Sequence, residues 1–266
     1  MRAYQHSSVM PEEVLAALQA RPGGWYADGT LGLPVYHEFI TKFAEILHLD
    51  QSGKVLDMQR LAAGGQGTLQ PVVLVRNEKE ALVLTRYAGA GKEHRVISIA
   101  TKDGGRSWSK PVKSILKNPD AALTALVLPD GNMLAVLNDQ EERRDSLSLQ
   151  LSEDGGNTWR ELRRLEEMGA MRDKPLDEQT CLGLIENLAR SSDAKLEQAD
   201  AQQITGYVNS AKARVRTGNT CTFEFSYPYM IQTHNGDIHL AYTWNRAFIK
   251  HVVFDQAWLQ LHYRTK

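Results

Sequence analysis

Two octapeptides of one pattern constrain the fold of this chain more than any other feature of its sequence. "TKDGGRSW" runs from Thr101 to Trp108, and "SEDGGNTW" runs from Ser152 to Trp159. In each, the aspartate can accept backbone N–H groups of a turn, the glycines can supply positive φ, and the tryptophan can anchor a hairpin in apolar packing. Each octapeptide predicts a hairpin turn with a partly buried tryptophan, and their recurrence predicts repeated antiparallel units.

Three kinds of pattern divide the rest of the chain. Residues 33–159 consist of short alternating or apolar runs, such as "PVVLV" and "ALVLTRY", and predict four-stranded antiparallel sheets. Strand pattern returns in residues 221–266, where "HNGD" predicts a hairpin turn. Residues 160–220 have apolar positions at helical spacing and predict a helical insertion, mainly helix from Asp173 to Val215. Residues 1–32 form a separate N-terminal segment with one short helix over residues 9–20.

Several blocks of sequence resemble successive blades of the sialidase-like propeller family with BNR (Asp-box) repeats. They are "GLPVYHEF" (32–39), "TLQPVVLV" (68–75), "KNPDAALTALVLPDGNMLAVLND" (117–139) and "FSYPYMIQTHNGDIHLAYTWNRAFIKHVVFD" (225–255), and the resemblance covers residues 32–159 and 221–260. It implies a six-bladed β-propeller, and at roughly 45 residues per blade six blades need more β-sequence than this chain contains. We therefore expect an all-β fold, a partial (truncated) six-bladed propeller of the sialidase type, with a helical insertion and a short N-terminal helix.

A second resemblance concerns residues 4–32, which are similar to the start of the ribosomal-RNA cytosine-N4 methyltransferase family. In that family "DGTLG" begins the loop that binds S-adenosylmethionine. This chain continues with "LPVYHEF" where that family has glycines and a histidine, and no later methyltransferase motif follows. A glycine-bearing strand end without the rest of a doubly wound sheet does not hold a nucleotide. A gene fusion, a misplaced start and coincidence all remain open as explanations.

The sialidase resemblance implies a definite chemistry. Arginines clamp the substrate carboxylate in bidentate fashion, and a tyrosine serves as nucleophile because it avoids repulsion from that carboxylate. A glutamate takes the tyrosine proton, and an aspartate acts as acid and base. On this resemblance Arg86 after "ALVLT" and Arg246 in "YTWNR" are the candidate clamp, and Tyr227 before Pro228 is the candidate nucleophile. Solvated strand-end arginines and a packed strand tyrosine are the structural alternatives.

The remaining candidates are acidic and polar residues near strand ends. Glu38 and Glu224 are the catalytic carboxylate candidates, and each alternates with apolar neighbours, so it points into a pocket or to solvent. On a regular strand Glu224 and Tyr227 lie on opposite faces, so pairing them requires a bulge or a proline distortion. The other candidate substrate-binding residues also suit a purely turn-forming role; they are His37, Asn118, Asp120 and Asn138.

The charge and hydropathy of the chain argue against some classes of binding partner. A net charge of -1 and a pI near 6.7 without a basic stripe argue against nucleic acid, and no apolar run approaches the ~20 residues of a membrane span. The N-terminus lacks the pattern of a signal peptide, so the chain as written is expected in the cytoplasm, with export of relatives if the true N-terminus is missing. No metal-cage spacing and no cofactor are expected, and His234, His239 and His251 are expected on strands.

Two cysteines leave one structural alternative open. Cys181 lies within the predicted helical insertion, and Cys221 directly follows it. They are interpreted either as two buried thiols or as a single disulfide.

Two functional hypotheses of different classes follow. The first is an exo-acting glycosidase of the sialidase type, or its truncated relative, acting on terminal acidic sugars of glycans. The second is a non-catalytic propeller fragment that binds sugar or protein, and an rRNA methyltransferase is a remote alternative. The open sheet edges of an incomplete propeller also predict homo-oligomerisation.

Overall fold

The computed structural model describes residues 31–38, 42–50, 52–61, 67–88, 92–168, 178–191, 201–212, 224–246 and 248–263. Within them, the strands are β1 (Leu31–His37), β2 (Phe43–Leu49), β3 (Val55–Leu61), β4 (Gly67–Val75), β5 (Ala81–Ala88), β6 (Arg95–Thr101), β7 (Val112–Lys117), β8 (Thr124–Val127), β9 (Met133–Leu137), β10 (Ser146–Ser152), β11 (Arg160–Glu167), β12 (Phe225–Gln232), β13 (Ile238–Trp244) and β14 (Phe248–Phe254). The helices are α1 (Glu178–Ser191), α2 (Ala201–Lys212) and α3 (Gln256–Tyr263). The described chain is thus mainly β, as predicted.

The strands form four antiparallel sheets, each built from strands that are consecutive in the chain. Sheet I has the order β1-β2-β3, sheet II β4-β5-β6-β7, sheet III β8-β9-β10-β11 and sheet IV β12-β13-β14. The first strands of sheets II, III and IV pack against one another in turn, and β1 and β2 pack against β4. Four strands per sheet, as predicted for residues 33–159, is correct for sheets II and III, whereas sheet I has three strands within the described residues.

Successive sheets are held together by apolar cores between their faces. Sheets I and II enclose residues such as Ile46 and Ile99, and sheets II and III enclose Leu84 and Met133. The largest core lies between sheets III and IV and includes Trp244. Because side chains alternate across a strand, β5 sends Val83 to one neighbouring sheet and Leu84 to the other. This explains why the strands of the inner sheets read as nearly continuous apolar runs.

Both octapeptides form the predicted hairpin turns, between the third and fourth strands of sheets II and III. In the first, Asp103 accepts hydrogen bonds from the backbone N–H of Ser107 at 2.9 Å and from its hydroxyl at 2.5 Å. In the second, Asp154 accepts the equivalent pair from Thr158, at 2.8 and 2.6 Å. The glycines after both aspartates have positive φ, between 74 and 92°. Trp108 and Trp159 are partly buried, which confirms the predicted anchor.

A third turn of this kind, not predicted from the sequence, joins β2 to β3. Asp50 accepts hydrogen bonds from the backbone N–H groups of Ser52 at 2.8 Å and Lys54 at 3.0 Å, and Gly53 has a φ of 82°. Its place matches that of the two octapeptide turns. Sheet I therefore corresponds to the second, third and fourth strands of sheets II and III, which accounts for its three strands.

Helices occupy the predicted insertion only between β11 and β12. Its first residues form the strand β11 (Arg160–Glu167) instead, so the prediction that strands end at residue 159 was wrong. The helices α1 and α2 fall within the segment predicted to be mainly helical, and Val208 of α2 is buried in the core between sheets III and IV. A further helix, α3, ends the described chain after β14 and buries Leu259; it lies in a segment predicted only as strand. No described helix has the length and apolarity needed to span a membrane. The predicted helix over residues 9–20 lies outside the described residues, and so does Cys221, one of the two cysteines of the possible disulfide.

Acid is expected to weaken the first octapeptide turn. Hydrogen bonds from Ser107 and Thr101 lower the pKa of Asp103 from an ordinary 3.8 to about 2. Because the folded-state pKa lies below the unfolded one, the aspartate stabilises the fold fully above about pH 4, and this contribution is lost as the pH falls toward 2. Asp103→Asn is expected to lower the thermal midpoint at pH 7 and to flatten its fall between about pH 4 and pH 2. Asp57→Asn, on an exposed strand position, is the control, and equal midpoints for all three proteins at pH 7 would contradict the prediction.

Candidate functional site

All the candidate site residues lie along one edge of the sheets, here called the site edge. At this edge Arg86 lies two residues before the end of β5, Asn138 directly follows β9, and Arg246 lies two residues after β13. Thr68 at the start of β4 receives a hydrogen bond from the backbone N–H of Ala44 at 3.0 Å, so β2 begins at this edge too. The antiparallel strands that come next, β6 and β10, run away from this edge and end at the two octapeptides. The octapeptide turns therefore lie at the opposite edge of the sheets. The repeat that predicts the fold is not part of the site.

Arg86 and Asp120 form the first ion pair of the site edge. Their Nε and Oδ1 atoms are 2.5 Å apart, and Arg86 is only 8% exposed. Gln70 adds a second acceptor, its Oε1 lying 3.2 Å from Nη1 of the same guanidinium. Asp120 has a φ of 57°, in the left-handed region, just before β8. Arg86 is therefore held by Gln70 of its own sheet and by Asp120 of the connection between β7 and β8, rather than solvated.

Glu224 joins two further arginines. Its Oε1 lies 3.0 Å from Nη1 of Arg144, and its Oε2 lies 2.8 Å from Nε of Arg246. The Ser226 hydroxyl also donates to Oε1 at 2.5 Å. Arg144 connects this group to the first pair, because its Nη2 donates to the backbone carbonyl of Asp120 at 2.5 Å. Arg86, Arg144 and Arg246, with Asp120 and Glu224, form one continuous group, here called the arginine cluster.

The charge state of Glu224 is fixed by these partners. Burial would raise the pKa of Glu224, but hydrogen bonds from Ser226, Arg246 and Arg144 and the charge of Arg246 outweigh it. The net effect is a pKa below the ordinary 4.5, so the carboxyl is ionised at neutral pH. An ionised carboxylate bonded through both oxygens is a structural anchor for the arginines rather than a free base.

The backbone around the cluster is strained. Among the described residues other than glycine, six have positive φ. Glu93 precedes β6 at the site edge, and the other five lie in the arginine cluster or next to it: Gln70, Asp120, Tyr227, Asn245 and Arg246. Such conformations persist where the surrounding structure forces them, and they concentrate at functional sites. Tyr227 lies at a bulge of β12, between the register pairs of Ser226 and Tyr229, and is 53% exposed. The distortion required to bring Tyr227 and Glu224 to one side of the strand is therefore present, although the described bonds of Glu224 go to arginines and Ser226.

Two of the candidates serve the architecture. Asn118 is fully buried; its Oδ1 accepts from the backbone N–H groups of Tyr87 at 3.3 Å and Ala121 at 3.1 Å. Asn138 is also fully buried and its Nδ2 donates to backbone carbonyls of Ser146 at 2.6 Å and of Phe225 in the next sheet at 2.8 Å. These bonds match the turn-forming interpretation and tie sheet III to sheet IV.

His37 and Glu38 lie at the site edge but outside the arginine cluster. His37 ends β1, 3.2 Å from the carboxylate of Glu45 and stacked on Phe43 at 4.5 Å between ring centroids. Glu38 is exposed directly after the strand. The described contacts of His37 stay within sheet I, so the structure does not join it to the arginines.

The three late histidines are divided between strands and a turn. His239 and His251 lie on β13 and β14, as predicted, with Nδ1 and Nε2 3.0 Å apart. His234 lies instead in the turn between β12 and β13, because "HNGD" forms the hairpin connection. In the part of the chain that the structure describes, no three potential metal ligands come together.

Two residues of the site, Arg144 and Gln70, were not predicted from the sequence. Arg144 stands in the charged run "EERRDS", which is typical of a solvated turn, and nothing there separates it from Arg143. Gln70 precedes Pro71 just as Tyr227 precedes Pro228. A proline at the same place in the first strands of sheets II and IV was the signal in the sequence that could have pointed to Gln70.

Three solved structures that this chain resembles are glycosidases. The NanB sialidase of Streptococcus pneumoniae superimposes with a TM-score of 0.50 at 9% identity, over 86% of this chain and 30% of that one. A Hadza microbial sialidase, Hz136, gives a TM-score of 0.48 at 12% identity, over 86% of this chain and 45% of that one. An α-L-arabinofuranosidase of Fusarium graminearum, Arb93A, gives 0.41 at 13% identity, over 70% and 44%. The superposition on NanB shows that the four sheets have a propeller fold similar to that of this sialidase.

The family of the chain follows from its sequence. The BNR repeat-like domain matches residues 17–240, which is most of the chain, and the protein belongs to this family.

Curated relatives match a much shorter stretch. The ribosomal RNA small subunit methyltransferase H of Pelobacter propionicus is 69% identical over 32 residues, 12% of this chain and 10% of that protein. The enzyme of the same name from Geotalea daltonii is 39% identical over 82 residues, 29% of this chain and 25% of that protein. This chain thus spans a quarter or less of the curated relatives that it matches, in keeping with the short methyltransferase resemblance.

Neutralising Glu224 is expected to destabilise the site edge. Glu224→Gln leaves Arg144 and Arg246 without their counter-charge in a partly buried place, so the free energy of unfolding should fall by about 2 kcal/mol at pH 7. Because the folded pKa of Glu224 is lowered, the wild-type advantage should shrink as the pH falls below about 4.5. Chemical denaturation at pH 7 and pH 4 measures both effects.

The matched control is Glu161→Gln, which removes an exposed carboxylate paired with Arg164 on β11. Its change should stay within about 0.5 kcal/mol. Equal losses for the two variants would show that Glu224 is only another surface charge.

Proposed function

We propose that the arginine cluster binds the carboxylate of a terminal acidic sugar, in a site of the exo-α-sialidase type of glycoside hydrolase. The observation behind this proposal is that Arg86, Arg144 and Arg246 meet on one edge around two carboxylates. Three guanidinium groups and two carboxylates leave a local charge of +1. A guanidinium binds a carboxylate through two parallel N–H···O bonds, so an acidic ligand suits both the surplus charge and the donor geometry.

The proposed nucleophile is Tyr227. Its side chain is 53% exposed at the bulge of β12, three residues after Glu224, which belongs to the arginine cluster. A phenol is neutral before reaction, so it approaches an anionic sugar without the repulsion that a carboxylate nucleophile meets. Because Glu224 is bonded to two arginines, the acceptor of the tyrosine proton is proposed to be a different carboxylate; Glu38, exposed at the site edge of sheet I, is the remaining candidate.

The four sheets are proposed to be part of a six-bladed ring, with further catalytic groups supplied by blades outside this chain. Two apolar surfaces support this. Sheet IV exposes Ile231 and Ile249 on the face away from sheet III, and sheet I exposes Leu56 and Met58 on β3. Exposed apolar sheet faces favour association, so this chain by itself is also proposed to form homo-oligomers.

The alternative is a non-catalytic sugar-binding propeller. It is supported by the bonding of Glu224, both of whose oxygens are taken by Arg144, Arg246 and Ser226. A carboxylate engaged in this way is a weak general base, whereas the arginines keep donor groups for a ligand. Binding and hydrolysis must therefore be measured separately.

The proposed binding site is tested by comparing a sugar acid with its uncharged ester. N-acetylneuraminic acid, titrated by NMR or calorimetry, is expected to bind the chain, and its methyl ester is expected to bind at least about tenfold more weakly because it has no charge to pair with arginine. Arg86→Lys, which keeps the charge but loses the planar fork, should weaken binding of the acid about tenfold. Arg106→Lys, on the opposite edge, is the control. Equal affinity for acid and ester would overturn the proposal.

A hydrolysis assay tests whether this chain by itself contains a complete active site. Catalytic groups that act as a unit fail together when one is absent, so this chain alone should turn over a fluorogenic sialoside little or not at all. Robust turnover that disappears in Tyr227→Phe would instead show a complete active site. Binding without turnover is the result expected for either the partial propeller or the non-catalytic alternative.

A further inference from the structure

Gln70 and Tyr227 occupy equivalent places in two different sheets. In sheet II, Leu69 pairs with Arg86 and Val72 pairs with Leu84, so β4 has one residue more than β5 between these pairs. In sheet IV, Ser226 pairs with Thr243 and Tyr229 with Ala241, which gives the same bulge one residue long. In both, the first bulged residue precedes a proline and begins the departure from regular pairing.

Both residues are held in an unfavourable backbone conformation. Gln70 has a φ of 49° and Tyr227 a φ of 54°. Positive φ is uncommon for residues with a side chain, and a following proline further restricts the residue before it to extended conformations. Glycine at either position would avoid the strain. That two bulges carry large side chains at this point indicates that the side chains themselves are needed there.

The bonding of Gln70 shows which of its groups remains available. Its Oε1 accepts from Nη1 of Arg86 at 3.2 Å, and because a guanidinium only donates, this bond fixes which way the carboxamide faces. Its Nε2 then points away from Arg86, with two N–H donors and no hydrogen-bond partner among the described residues. The half-buried Gln70 therefore presents a neutral donor beside the arginine that is proposed to hold the ligand carboxylate.

We propose that Gln70 is a ligand-contacting, specificity-determining residue, whose bulge on β4 orients Arg86 through the amide oxygen and directs the amide NH2 group to a hydroxyl or carbonyl oxygen of the bound sugar. The inference rests on the proposed acidic-sugar site and deepens it. A neutral donor next to the carboxylate clamp distinguishes a sugar acid with a neighbouring oxygen acceptor from a simple carboxylate.

The test compares binding of N-acetylneuraminic acid and acetate by NMR titration. Gln70→Ala is expected to weaken the sugar acid about tenfold and acetate much less, because acetate lacks the further acceptor oxygens. Gln232→Ala, on β12 at the opposite edge, where Nε2 donates to the backbone carbonyl of Gly236, is the matched control and should change neither. Gln70→Gly should lose the same affinity while its thermal midpoint is kept or raised, since glycine accepts the positive φ.

A double-mutant cycle shows whether Gln70 touches the sugar or acts only through Arg86. The effect of Gln70→Ala should persist, at about threefold or more, in the Arg86→Lys background if the amide contacts the ligand. An unchanged affinity for the sugar acid in Gln70→Ala, or a complete loss of the effect in the Arg86→Lys background, would overturn the inference while Arg86→Lys itself still weakens binding. Failure of the wild-type chain to bind the sugar acid would overturn the proposed function and this inference with it.

Discussion

The packing of one sheet face against the next is the constraint on which the rest of this structure depends. Each inner sheet buries apolar side chains on both faces, and no sheet could hold its position without its neighbours. Backbone ties reinforce the apolar contacts: the Asn138 amide in sheet III bonds to the backbone of Phe225 in sheet IV. This packing brings equivalent strand ends of successive sheets to a single edge, and the site exists only because of that alignment.

At the site edge, the positions of the charged side chains depend both on ion pairing and on backbone conformations with positive φ. The guanidinium groups of Arg86, Arg144 and Arg246 would repel one another without Asp120 and Glu224 between them. The left-handed conformations of Asp120 and Arg246 place these groups where straight strands would not. The rigid sheets beneath supply the stability that holds such conformations, which is the usual division between a scaffold and its site.

Comparison of the two edges separates architecture from function. The octapeptide turns, with their aspartates saturated by local hydrogen bonds, close the edge opposite the arginines. Their aspartates are occupied within the turn, so the octapeptide motif stabilises hairpins at the edge opposite the arginine cluster. The turn at Asp50 lacks most of the octapeptide motif, yet its aspartate accepts similar backbone hydrogen bonds and the turn lies at the equivalent place in its sheet.

The sequence by itself determined the antiparallel sheets, the two octapeptide turns and the helical insertion, because these follow from local periodicity and turn chemistry. It also singled out Arg86, Arg246, Asp120, Glu224 and Tyr227 at strand ends. Only the tertiary structure decided which of these meet: it joined Glu224 to two arginines and added Arg144 and Gln70. Ion pairs between residues 80 positions apart, such as Arg144 and Glu224, leave no periodic trace in a sequence. They arise when packed sheets bring distant strand ends together.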